Sequence, residues 1–122
     1  MANPSATPAS SAGTEILRRS FKVGLSNSPY KIIDGASTSY MYTLLCVTFC
    51  ENAGAGETIN MKIATEASGN DVFLLDAQAL QAKQTFVWND KIMLWGTDEL
   101  VVYTGDAADV DVYCTYIEQQ FA

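Results

Sequence analysis

The sequence predicts an all-β domain, an antiparallel β-sandwich or jelly-roll-like barrel of about eight or nine short strands preceded by an extended N-terminal arm. Three observations predict it. From Glu15 onward apolar side chains recur with a period of two, the repeat of a strand with two different faces. Clusters of Gly, Asn, Asp, Ser and Pro interrupt these runs at short intervals. No long stretch keeps the repeat of an amphipathic helix.

The 122 residues suit one domain with a real core. Residues 1–14, MANPSATPASSAGT, carry no charge and are rich in Pro, Ala, Ser and Thr. Such a segment cannot form a core, so it is expected to be an arm, followed by a sandwich domain over 15–122. In Glu15–Leu25 the odd positions Leu17, Phe21, Val23 and Leu25 are apolar, interrupted by Arg19, while Arg18, Ser20 and Lys22 lie between them. A turn at Asn27-Ser28-Pro29 leads to a short strand, Tyr30–Ile33, closed by Asp34-Gly35.

Ser39–Glu51 is the longest strand candidate. Tyr40, Tyr42, Leu44 and Cys46 alternate with Met41, Leu45, Val47 and Phe49, so both faces are apolar and both need cover. This predicts a homo-oligomer. Asn52–Gly56 is a glycine-rich turn, and Glu57–Thr65 follows with Ile59, Met61 and Ile63 inward and Thr58, Asn60 and Lys62 outward. Ser68–Asp71 turns the chain into Val72–Leu75. Asp76–Lys83 fits either one helical turn or an irregular link. Thr85–Trp88, Lys91–Trp95, Glu99–Thr104 and Asp109–Glu118 complete the strands.

Composition narrows the function. The net charge of −7 argues against nucleic acid, whose phosphates demand a basic patch. Residues 1–50 carry four basic side chains against two acidic ones, and residues 51–122 carry three against twelve. No apolar run approaches the ~20 residues of a membrane helix. The N-terminus lacks the basic start and apolar stretch of a signal peptide, so synthesis in a cytoplasm is expected. Cys46, Cys50 and Cys114 are an odd set, expected to be reduced thiols packed as small hydrophobes and not a disulfide framework.

Chemistry-bearing patterns are scarce. Histidine is absent, which removes the commonest general base and the commonest transition-metal ligand. The cysteines lack paired zinc spacing. Gly54-Ala55-Gly56 joins two strands and has no following Lys-Ser/Thr, so it reads as a turn and not as a phosphate loop. Asp106, Asp109 and Asp111 do not match a calcium loop. Asp98-Glu99 sits at a turn, its side chains pointing apart. Tyr40, Tyr42, Trp88, Trp95, Tyr103, Tyr113 and Tyr116 suit core or interface packing better than a sugar platform. The expectation is a non-enzymatic protein without cofactor or metal.

The segment Asp90–Glu118, DKIMLWGTDELVVYTGDAADVDVYCTYIE, resembles the closing hairpins of small β-sandwich virion proteins of tailed bacteriophages. The features are an apolar strand, the turn Gly96-Thr97-Asp98, the strand Leu100-Val101-Val102, the small turn Ala107-Ala108, and Val110-Asp111-Val112 through Tyr116. Tyr42–Ala64 resembles the preceding hairpin. The resemblance spans roughly residues 40–118 and implies a head decoration (cement) protein, frequently trimeric, bound to the major capsid protein or another virion protein. A tail, neck or fibre-attachment subunit is the alternative, and a carbohydrate-binding module is the rival from another class. The candidate partner-binding residues are Pro4 and Pro8 in the arm, the basic set Arg18, Arg19 and Lys22 behind it, and Tyr40 and Tyr42 on the long strand.

Overall fold

A computed structural model describes residues 15–35, 38–65, 70–106 and 109–120. The predicted arm, with Pro4 and Pro8, lies outside the described residues. Among those described, every regular element is a strand: β1 (Glu15–Leu25), β2 (Tyr30–Asp34), β3 (Tyr40–Glu51), β4 (Glu57–Ala64), β5 (Asp71–Leu80), β6 (Thr85–Trp88), β7 (Ile92–Trp95), β8 (Glu99–Thr104) and β9 (Val110–Gln120).

The pairings are nested and all antiparallel. β1 pairs with β9, β2 with β8, β3 with both β6 and β7, and β4 with β5. The chain is thus one long ribbon rolled over itself. Its two sheets run β1-β9-β3-β6, with β7 also on β3, and β2-β8-β4-β5. This is jelly-roll connectivity, in which β6 and β7 are two halves of one interrupted strand.

The core fills the space between the sheets. The first sheet contributes Tyr42, Leu44, Val47, Phe49, Leu94, Val110, Val112 and Cys114, and the second contributes Ile33, Ile59, Met61, Leu75, Leu100 and Val102, all buried. Phe49 meets Phe86 edge-on, with ring centres 6.4 Å apart. Burying one such ring stabilises the fold by roughly 1.5–3 kcal/mol.

Three strands depart from the reading above, each at a bulge. In β3, Leu44 faces Tyr116 but Cys46 faces Thr115, so Leu45 is an extra residue. The buried positions change parity there, from Tyr42 and Leu44 to Val47, Phe49 and Glu51. The strand therefore has one core face, and its other face carries Met41, Thr43, Cys46, Thr48 and Cys50. Asp76–Lys83 is neither a helical turn nor a simple link, because β5 runs on to Leu80 past Ala77, whose φ is 54°. The register with β4 shifts beside it, and Asn60, expected outward, is only 7% exposed. Its Oδ1 accepts the Ala77 N–H at 2.8 Å, a donor that the bulge removes from the ladder.

In β1 the register with β9 puts Arg18, Ser20 and Lys22 opposite Tyr116, Cys114 and Val112, on the inner side of the sheet. Leu17 and Phe21 are turned outward. A shift between Lys22 and Leu25, where Gly24 has a φ of 69° that suits glycine, returns only Leu25 to the core.

Among the described residues no helix is long and apolar enough to cross a membrane.

Candidate interaction surface

Register fixes what the outer face of the five-stranded sheet presents. Across the strands lie the rows Leu17–Ile117–Thr43–Met93, Phe21–Tyr113–Thr48–Val87 and Glu15–Gln119–Met41–Trp95. Large apolar side chains here are open to solvent in the single chain: Leu17, Phe21, Val87, Met93, Trp95 and Tyr113, joined by Val23 at the β1 bulge, with exposures from 43% to 70%. Phe21 and Tyr113 stack with ring centres 6.2 Å apart. A largely apolar groove of about 210 Å³ runs beside them, lined by Val23, Thr48, Cys50 and Val112 together with Lys22 and Asp111. Among the described residues the register places three charged ones on this face: Glu15, Arg19 and Asp111. Asp111 accepts hydrogen bonds from the Gly24 N–H (3.0 Å) and the Asn52 side chain (2.7 Å).

The outer face of the other sheet has a different surface. Lys31 bridges Glu99 at 2.9 Å and Lys62 bridges Asp71 at 2.8 Å. Both lysines are held above their ordinary pKa, first by the hydrogen bond to that carboxylate. Lys62 also lies over the Phe73 and Tyr103 rings. Ion pairs and cation–π contacts suit a face kept in water, although exposed pairs add little stability.

The residues singled out from the sequence do not come together. Arg18 bridges Glu118 at 3.2 Å, and Lys22 sits 5.4 Å from the Tyr30 ring, both on the inner side. Arg19 alone of the three basic residues is on the outer face, 5.5 Å from the Phe21 ring. The three are therefore not one cluster. Tyr42 is 2% exposed and meets Tyr116 edge-on, so it is a core residue and not a partner contact. Tyr40 stacks on Tyr42 and is half-buried. The seven aromatics weighed as a platform are dispersed. Tyr42 is in the core, Tyr40, Trp88 and Tyr116 pack against it, Trp95 and Tyr113 face out of one sheet, and Tyr103 lies on the other. Leu17, Phe21, Met93 and Tyr113 were missed as surface residues. Nothing within Glu15–Leu25 tells which face turns inward; only the partner register with β9 does.

One acidic site is structural. The Ala53–Ala55 turn does converge its N–H groups on an anion, but the anion is the chain's own Glu51, whose carboxylate is fully buried. Among the described residues no group of His, Cys, Asp and Glu is placed to hold a metal. Cys114 is buried, which pushes its thiol up to about 12, and Cys46 and Cys50 are half-buried; all three are free.

An open groove of about 400 Å³ lies between the start of β4 and the end of β5, with Glu57 and Asp106 in its wall. Burial raises the Glu57 carboxyl above its ordinary 4.5, and Asp106, Asp109 and Glu51 add like-charge repulsion. A raised carboxyl favours the fold below 4.5, and that contribution is lost as pH rises through the raised value. Glu57→Gln should therefore raise Tm at pH 7 by about 1–3 °C, with no gain at about pH 4. Thermal melts at the two pH values check this; a lower Tm at pH 7 would contradict it.

No protein-family model matches the chain, and no curated protein matches it. Solved structures do. The fold is one shared with viral capsid chains and with a pilus subunit. The chain matches a chain of the acid-stable capsid of Helicobacter pylori bacteriophage KHP30 at 13% identity and a TM-score of 0.50, covering 93% of this chain and 91% of that one. A subunit of the disulfide-linked pili of Bacillus endospore appendages matches at 12% identity and 0.51, covering 96% and 97%. A chain of the infectious bursal disease virus particle matches at 7% identity and 0.53, over 90% of this chain but 32% of that one. At these identities the likeness concerns the backbone path.

Proposed function

We propose that this protein is a structural component of a virus particle, a head decoration (cement) protein of a tailed phage, that works by binding protein surfaces and performs no catalysis. The observation that carries the proposal is the outer face of the β1-β9-β3-β6/β7 sheet. A soluble monomer rarely exposes an apolar patch beyond roughly 300–600 Å². Here seven large side chains leave half of themselves open on one sheet face. The near full-length likeness to a phage capsid chain supports the same reading.

In physical terms the protein acts by adding contacts. A shell under internal pressure is strengthened when many small subunits each join neighbouring capsomers, and an oligomer engages several sites at once, which multiplies its effective affinity. The resemblance implies a trimer. The proposal gives residues 1–14 the attachment role and the sandwich the assembly role. The likeness to a pilus subunit supports a second reading, a filament subunit, which the same apolar face would serve.

Counting copies in purified particles by quantitative mass spectrometry tests the proposal. Hundreds of copies per particle support head decoration, some dozens or fewer indicate a tail or neck subunit, and presence only in filaments supports the second reading. Deleting residues 2–14 should lower binding to particles lacking the protein by at least about tenfold while leaving the Tm of the isolated protein almost unchanged. Normal binding by the truncated protein would assign attachment to the sandwich instead.

A further inference from the structure

We infer that the outer face of the β1-β9-β3-β6/β7 sheet is covered by a second copy of this chain, and that it is this protein's self-assembly surface. The inference deepens the structural reading above by naming the occupant of that face, and it rests on that reading.

The first ground is area. The seven exposed apolar side chains offer on the order of 100 Å² each, about half of a large side chain. That sums to roughly 700 Å² per copy, close to the ~800 Å² per partner of a standard interface. The second ground is composition. A surface that meets its partner only occasionally is about as apolar as the rest of the exterior, whereas faces joining identical subunits are more apolar and poorer in charge. Among the described residues the register places three charged ones here, Glu15, Arg19 and Asp111, with Lys22 reaching the groove beside Phe21, although the net charge is −7. Two like-charged chains can meet through this face with little repulsion. Glu15 and Arg19 are of opposite sign on one strand, so a neighbouring copy can answer each with the other.

The third ground is the register of β1. The strand turns Leu17, Phe21 and Val23 to the outside and Arg18, Ser20 and Lys22 to the inside, the reverse of what a solitary domain would favour. A slip of one residue would exchange the two sets. The observed arrangement exposes apolar surface from the moment the chain folds. A copy of the same chain is available at that moment, while an assembled shell is met later. Three copies about one axis can turn these faces toward each other, in keeping with a trimer.

Cys46 and Cys50 report on the face directly, since both lie on it and are half-buried in the single chain. Cys114 is the internal control, its thiol being in the core. The experiment measures the mass of the full chain by light scattering at about 50 µM, with the rate of maleimide labelling of Cys46 and Cys50. Wild type, Phe21→Asp, Tyr113→Asp, the conservative Tyr113→Phe, and Phe73→Asp on the opposite sheet are compared. We expect a multiple of 13.2 kDa for wild type, Tyr113→Phe and Phe73→Asp. Phe21→Asp and Tyr113→Asp should run as monomers with unchanged far-ultraviolet circular dichroism and label at least about tenfold faster.

A wild-type monomer, or a multimer indifferent to both outer-face charges, overturns the inference. A monomer that binds particles and loses binding with Tyr113→Asp overturns it too, yet leaves the structural reading intact. A multimer broken by Tyr113→Asp that joins no particle or filament sustains the inference and sinks the reading.

Discussion

Glu51→Ala should lower Tm by about 15 °C or more, among the largest losses available to a single polar substitution here. Glu51 ends β3 with its carboxylate wholly out of solvent. Four backbone N–H groups converge on it: Ala53 (3.1 Å), Gly54 (2.9 Å), Ala55 (3.3 Å) and Lys83 (2.9 Å). The first three belong to the β3–β4 turn. Lys83, at a φ of 60°, belongs to the β5–β6 turn. One side chain thus joins two loops from different parts of the chain and sets the left-handed residue in place. Alanine removes the one acceptor that four backbone donors share and unties the two loops, and this asymmetry makes deletion costly. Gln keeps one acceptor oxygen and turns an NH₂ group toward N–H donors, so Glu51→Gln should lie between wild type and alanine.

The pH dependence follows from the same geometry. Hydrogen bonds from Lys83, Gly54, Ala55 and Ala53 hold the Glu51 carboxyl below its ordinary 4.5, against the opposing effect of burial. A depressed carboxyl contributes stability that is present above 4.5 and is lost as pH falls through the lowered value. The Tm gap between wild type and Glu51→Gln should therefore be widest at neutral pH and shrink below about pH 4. A gap that stays constant down to about pH 2 would mean that the charge is not what the loops hold. Glu57 titrates in the opposite sense, so its Gln variant separates the two effects.

How much of this was legible in the sequence depends on where the ladder is regular. β4, β6 and β8 were readable to within a residue of their ends, β4 by its alternation and β6 and β8 by the turn residues that flank them. β5 was not, because two register shifts against β4 break its period and leave DAQAL without a readable repeat. Asn60 looked like an outward polar residue because its role depends on a donor freed seventeen residues later, at Ala77. The Gly-Ala turn was read as a turn, but the buried acid that organises it lies just before it and looks in sequence like an ordinary surface glutamate. The interaction face was legible only as an excess of apolar positions. Assigning them to the outside of β1 required the β1–β9 register, a contact between the two ends of the described chain.

The β3 bulge leads to a paired result: deleting Leu45 should leave a folded protein, while deleting Thr48 should abolish the cooperative unfolding transition. The two deletions shorten the same strand by one residue, but they leave it in different phase, and only Thr48 is itself paired, with Val87 and Tyr113. Leu44 faces Tyr116 and Cys46 faces Thr115. Removing Leu45 makes this step regular, and Tyr42 and Leu44 on one side and Val47, Phe49 and Glu51 on the other all keep their inward direction. Leu45 also lies between the stretch paired with β7, residues 41–44, and the stretch paired with β6, residues 47–50, so neither ladder loses a rung. The expected cost is that of an ordinary single change, about 1–2 kcal/mol, or a Tm drop of roughly 5–10 °C. Removing Thr48 keeps the bulge and reverses everything after it. Phe49 would turn outward and Cys50 inward, and the Glu51 carboxylate would point away from Ala53–Ala55 and Lys83. Losing the buried Phe49 ring alone costs about 3–5 kcal/mol, before the Glu51 network is counted. Circular dichroism melts of both variants decide the matter. Equal damage from the two deletions would show that strand length, and not the phase set at Leu45, is what β3 requires.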